Sequence, residues 1–96
     1  MQLEIITPEM KVFSGEVDAV QFPGLDGSFQ VLAGHAPIIA ALQKGKVKVD
    51  LTNTYERPEK MSNLIEESSV NTKVIHVTIN GGVVELLNDK IIVLAE

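Results

Sequence analysis

Cysteine and tryptophan are absent from this 96-residue chain, and one tyrosine with three phenylalanines makes up the whole aromatic class. Without a thiol there is no disulfide framework, no thiolate metal site and no cysteine nucleophile, and nothing favours an oxidising compartment. Phe13, Phe22, Phe29 and Tyr55 are too few and too separated to build a base-stacking platform. Basic residues are also short: eight Lys and Arg against thirteen Asp and Glu leave a net charge of -5. That charge repels phosphate backbones and anionic lipid, so nucleic acid is set aside as a partner. The longest apolar runs, Pro37 to Leu42 and Ile91 to Ala95, fall far short of the roughly 20 residues a membrane-spanning helix needs. Any membrane association must come through other proteins. The opening Met1-Gln2-Leu3-Glu4 has no basic region and reads as neither signal nor transit peptide. Cytoplasmic bacterial origin is the simplest expectation, and the length suits a single domain, residues 1–96.

What the chain does hold is β-branched residues, with 12 Val, 9 Ile and 5 Thr, which favour the pleated backbone. Leu3 and Ile5 alternate with Gln2 and Glu4 until Pro8 ends the ladder. Val17 and Ala19 alternate with Glu16 and Asp18, and then the parity shifts to Val20 and Phe22, which predicts a bulge near Ala19. Asp26-Gly27 predicts a hairpin with a two-residue primed turn, and Lys44-Gly45 predicts another turn. Val47, Val49 and Leu51 alternate with Lys46, Lys48 and Asp50, as a strand with one solvated face requires. Ile75, Val77 and Ile79 do the same against His76, Thr78 and Asn80. Gly81-Gly82 and Asn88-Asp89 punctuate two further strands, Val83 to Leu87 and Lys90 to Ala95. This spacing predicts an all-β sandwich or barrel. Residues 53–73 break the rhythm as a polar, exposed insertion, in which Met61, Leu64 and Ile65 behind Pro58 could form a short helical turn.

Residues with catalytic chemistry are scarce. The two histidines are His35 and His76. His76 shares the parity of Thr78 and Asn80 and reads as a solvated strand position. His35, in Ala33-Gly34-His35-Ala36-Pro37, has three open readings: a structural hydrogen-bonding residue, an interface contact or a catalytic base. The carboxylates lack the spacing of a metal loop. Gly24-Leu25-Asp26-Gly27 lacks the ending of a phosphate loop and precedes no helix, so its glycines read as turn formers. No metal, cofactor or catalytic residue is expected, and a binding or structural module remains.

Four segments then carry a resemblance: Phe13-Ser14-Gly15-Glu16-Val17, Gly24-Leu25-Asp26-Gly27, Gly34-His35-Ala36-Pro37-Ile38 and Gly81-Gly82-Val83-Val84-Glu85. In order and spacing they resemble the epsilon-subunit family of F-type ATP synthases, over residues 2–50 and 74–96. The resemblance implies a flattened antiparallel β-sandwich of about ten strands in two sheets. It also implies a non-catalytic rotor subunit of the central stalk. Such a subunit bridges the gamma subunit and the c-ring of the proton-translocating complex and couples ion translocation to ATP synthesis by the alpha and beta subunits. The expected location is peripheral, at the cytoplasmic face of the bacterial inner membrane.

Residue by residue, the resemblance assigns Gly24, Leu25, Asp26, Gly27, Ser28 and Phe29 to a loop facing the c-ring. It assigns His35, Ala36, Pro37 and Ile38 to a segment against gamma. Ser28, Gln30 and Ala33 depart from residues common in the family. Many family members continue into a C-terminal helical hairpin, which this sequence, ending at Glu96, is expected to lack. The competing expectation is a free-standing β-sandwich adaptor that binds an extended peptide at a sheet edge, though it leaves Gly34-His35-Ala36-Pro37 unexplained. A small metal-dependent hydrolase is a further class, and it requires His35 and His76 to converge with a carboxylate.

Overall fold

The computed structural model describes residues 1–96 and contains seven strands and no helix. They are β1 (Gln2–Ile6), β2 (Lys11–Phe22), β3 (Phe29–Leu32), β4 (Ile38–Leu51), β5 (Ile65–Glu67), β6 (Val74–Leu87) and β7 (Lys90–Ala95). Hydrogen bonding runs in the order β1-β7-β6-β4-β2-β3, and a further β1–β2 pairing closes β1, β7, β6, β4 and β2 into a ring. The all-β sandwich expected from the sequence is the architecture seen. β2, β4 and β6 are long enough to serve both layers, so seven continuous strands do the work of the larger number expected. One pairing departs from the all-antiparallel expectation, because β1 and β7 run parallel. A ring of strands that alternate in direction closes only with an even number of members. This ring has five, so one parallel pair is unavoidable.

The core is one cluster of buried aliphatic residues with Phe22 as its largest fully buried side chain. Side chains of a strand face alternate sides, yet β4 buries Leu42 and then Val47, Val49 and Leu51, which is a change of parity. β6 buries Ile75, Val77 and Ile79 and then Val84 and Leu86, changing parity at the matching place. The register stays unbroken from Leu42↔Gly82 to Lys44↔Asn80, so the two strands roll over together as they pass from one layer to the other. Gly81 and Gly82, at φ 121° and 149°, supply the backbone freedom for that roll. The turns expected at Lys44-Gly45 and Gly81-Gly82 are therefore absent, and both pairs lie inside continuous strands. Gly45 is a glycine for want of room: a β-carbon there would come within 2.9 Å of Pro23 Cβ. The bulge expected near Ala19 is present, as a register shift between Val17 and Ala19 against β4.

Residues 53–73 are also corrected by the structure. No helical turn forms at Met61, Leu64 and Ile65. Instead Ile65 opens β5, which pairs with Ile75 to Val77 of β6. An isolated short helix is marginal, whereas the free edge of β6 offers backbone partners that satisfy the chain. Nor is the segment a detached loop. Ile65 is buried, and Tyr55, Met61 and Leu64 pack half-buried against the core. The Tyr55 amide donates to Thr72 O at 2.9 Å, and Arg57 Nε donates to Glu67 Oε2 at 2.6 Å.

Candidate functional site

The Pro23–Ser28 connection joins Phe22 to Phe29, which face each other across β2 and β3. It is longer than the two-residue primed turn expected, and Asp26 does not adopt a positive φ; only Gly27 does, at 118°. Gly27 N donates to Gly24 O at 3.1 Å, closing a turn around Leu25 and Asp26. Gly24 is buried and has no room for a side chain, since a β-carbon there would strike Gly27 O and the Phe29 ring. The loop is also tied to β4. Gln43 N donates to Pro23 O at 2.8 Å, Leu25 N to Ala41 O at 3.1 Å, and Gln43 Nε2 to Gly24 O at 2.9 Å. Beneath it the Phe22 and Phe29 rings sit 5.5 Å apart. The outcome is a braced protrusion that presents Leu25, Asp26 and Ser28 to solvent, with Leu25 61% exposed and Asp26 in no ion pair.

His35 lies in the β3–β4 connection. Its amide donates to Leu32 O at 3.1 Å, and Nδ1 lies 2.6 Å from Ala36 O. A carbonyl only accepts, so Nδ1 carries the proton and Nε2 stays free. This ring fixes its neighbour's carbonyl, which is the structural reading of His35, and it is exposed, so the contact reading also stays open. Ala36 and Pro37 are exposed too, and Ile38 is half-buried where β4 begins. The two candidate segments flank the first half of β4. Ile38 adjoins one and Leu42, bridged to Gly24, adjoins the other, a separation of about 13 Å along a strand. His76 sits opposite Lys48, most of the length of β4 away from His35. No group of three or more His, Asp or Glu side chains converges as metal ligands.

Between the two segments lies a surface that the sequence analysis missed. On the outer face of the ring, Ala41, Val83 and Leu94 stand in one cross-strand row, and Leu94 continues to Ile6 on β1. The next row holds Ile39, Glu85 and Ile92. Ile39 is 75% exposed and Leu94 58%, with Leu87 and Val83 also open. A shallow groove of about 390 Å³ between Pro37, Ile38, Ile39, Glu85, Leu86 and Leu87 borders this face. A partial signal was present in the sequence: Ile38 to Leu42 and Ile91 to Ala95 are apolar on both faces of their strands, so each turns apolar side chains outward as well as inward.

The chain matches the family described as "ATP synthase, Delta/Epsilon chain, beta-sandwich domain" over residues 1–62. It is 53% identical over 55 residues to the ATP synthase epsilon chain of Chlorobium limicola, covering 57% of this chain and 62% of that one. It is 32% identical over 96 residues to the epsilon chain of Dehalococcoides mccartyi, covering all of this chain and 55% of that one. The chain thus spans little more than half the length of the second relative. Among solved structures it is similar to a chain of the Tetrahymena thermophila mitochondrial ATP synthase, in a structure described as central stalk/c-ring. The TM-score there is 0.67 at 15% identity, covering 99% of this chain and 62% of that one, which bears on the fold alone.

Proposed function

Because this chain belongs to the ATP synthase delta/epsilon family through its β-sandwich domain, we propose that it is a non-catalytic rotor subunit of the central stalk. In this reading it bridges the gamma subunit and the c-ring and couples ion translocation to ATP synthesis by alpha and beta. It reaches the cytoplasmic face of the membrane through these partners.

The observation that carries the reading is the exposed apolar face of Ile39, Val83, Leu87 and Leu94, bounded by His35–Ile38 at one end and the braced loop Gly24–Phe29 at the other. Apolar surface left open on a domain this small suits a permanent partner. The apolar face and its His35–Ile38 border suit gamma, and the braced protrusion with Leu25, Asp26 and Ser28 suits the loops of the c-ring. A closed ring of strands around a close-packed core deforms little under load, which is what a part that transmits torque requires.

The test is co-expression with the gamma subunit of the same organism, followed by size exclusion. Elution as one stoichiometric complex supports the reading. Two separate peaks would overturn it in favour of a free-standing peptide-binding adaptor.

A further inference from the structure

Away from the apolar face, the second half of β4 carries Lys44, Lys46 and Lys48 on its outer side, before the series stops at Asp50. All three are exposed. Their β6 neighbours are Asn80, Thr78 and His76, and β2 sets Gln21 beside Lys48, with Gln30 of β3 beyond it. These are the positions where an acid directly opposite would stabilise the sheet by a cross-strand pair, and none is an acid. Acids are not scarce, since the chain carries thirteen against eight cations. Elsewhere the sheet does pair its charges, with both Lys11 and Lys90 on Glu4. On this stripe only Lys46 has a carboxylate, Glu66 of β5 at 3.2 Å, and both groups stay more than half exposed. Lys44 and Lys48 have none.

We propose that this stripe is a docking surface for an extended acidic protein segment lying along β4. The lysines alternate, so their spacing is about 6.6 Å, which is also the spacing of alternate side chains on an extended peptide. Three carboxylates at every second position can therefore meet three ammonium groups in register, the outer two unpaired and the middle one exchanging Glu66 for the ligand. The footprint is narrow, and that selects the partner class. A duplex or a lipid surface would bring negative charge over the whole domain and meet its net charge of -5. A single extended chain touches the stripe alone, and charges more than about 8 Å away are largely screened at physiological salt. The inference is independent of the rotor reading, because it uses none of the residues assigned to gamma or the c-ring.

The experiment is an NMR titration of the ¹⁵N-labelled chain with two capped hexapeptides of equal composition, Glu-Thr-Glu-Thr-Glu-Thr and Glu-Glu-Glu-Thr-Thr-Thr. The expected result is saturable shifts confined to Lys44–Lys48, Gln21 and His76–Asn80 with the alternating peptide, with affinity for the block peptide lower by about tenfold. Raising the salt should weaken binding. Lys44→Gln with Lys48→Gln should reduce the affinity by about tenfold while amide shifts of the buried core stay in place. Absence of saturable shifts, shifts located elsewhere, or equal affinity for both peptides would overturn the proposal. So would shifts of the same residues caused by phosphatidylglycerol vesicles and not by either peptide.

Discussion

Gly45 and Pro23 lie against each other with no space for a methyl group, since a β-carbon on Gly45 would come within 2.9 Å of Pro23 Cβ. The contact fastens the Pro23–Ser28 loop to the middle of β4. Gly45→Ala should therefore cost about 1–3 kcal/mol by overpacking and loosen the loop that bears Asp26. Gly82→Ala should cost more, because its β-carbon would strike the Leu94 carbonyl and the Ala95 backbone at a φ that L-residues rarely adopt. A proline ring can shift slightly, whereas a sheet ladder cannot. Urea unfolding of the two variants checks the ranking, and equal losses would refute it.

Glu4 sits between two lysines, with Lys11 Nζ at 3.1 Å and Lys90 Nζ at 3.7 Å. The hydrogen bond from Lys11, reinforced by the charges of Lys11 and Lys90 against an opposing desolvation, holds its carboxyl below the ordinary 4.5. A depressed folded-state pKa contributes stability that is present above the unfolded value and lost as pH falls through the folded one. Glu4→Gln should thus flatten the acid limb of the stability curve. Thermal melts across acidic pH measure this, and an unchanged acid limb would count against it.

The Tyr55 hydroxyl is buried without a hydrogen-bond partner. Burial pushes the phenol above its ordinary 10.0, Glu67 adds to the rise and Arg57 opposes it. A raised folded-state value means the contribution is present below the unfolded pKa and disappears as pH rises through the folded one. Tyr55→Phe removes an unsatisfied group, so stability at neutral pH should hold or rise by about 1 kcal/mol. The alkaline loss should shrink. A destabilised Phe variant would show that the hydroxyl has a partner in solution.

Ile39 is 75% exposed, so Ile39→Asp should leave the melting temperature nearly unchanged while weakening association with gamma by tenfold or more, about 1.4 kcal/mol or above. Pull-down against tagged gamma reads it. Asp26→Lys, at the tip of the braced loop, should spare that association and lower proton pumping driven by ATP in reassembled membranes. Unchanged pumping would remove the loop from the proposed c-ring contact.

The strands and the inward residues were legible wherever alternation was clean, as at Val47–Leu51 and Ile75–Ile79, because burial on one face imposes a period of two. The bulge at Ala19 was legible for the same reason, as a break in that period. Gly45 and Gly81-Gly82 were misread as turns. Glycine marks a turn, a close approach or a twist with the same letter, and only the neighbours, Pro23 for one and Leu94 for another, distinguish them. β5 was hidden because three residues carry too little pattern to register. Of the candidate site, Gly24–Phe29 and His35–Ile38 were visible through resemblance. Ile39, Val83, Leu87 and Leu94 were not, since their adjacency arises from pairings across three strands.

The parallel pairing of β1 with β7 joins residues 2–6 to residues 90–94. During synthesis β1 can zip onto β2 early, but its other edge stays open until residues 90–94 have emerged. Within this domain ring closure is therefore a late event built on contacts distant in sequence. Until then the nascent chain exposes a row of unpaired amides on β1, and that interval is when it most needs protection from its own copies on neighbouring ribosomes.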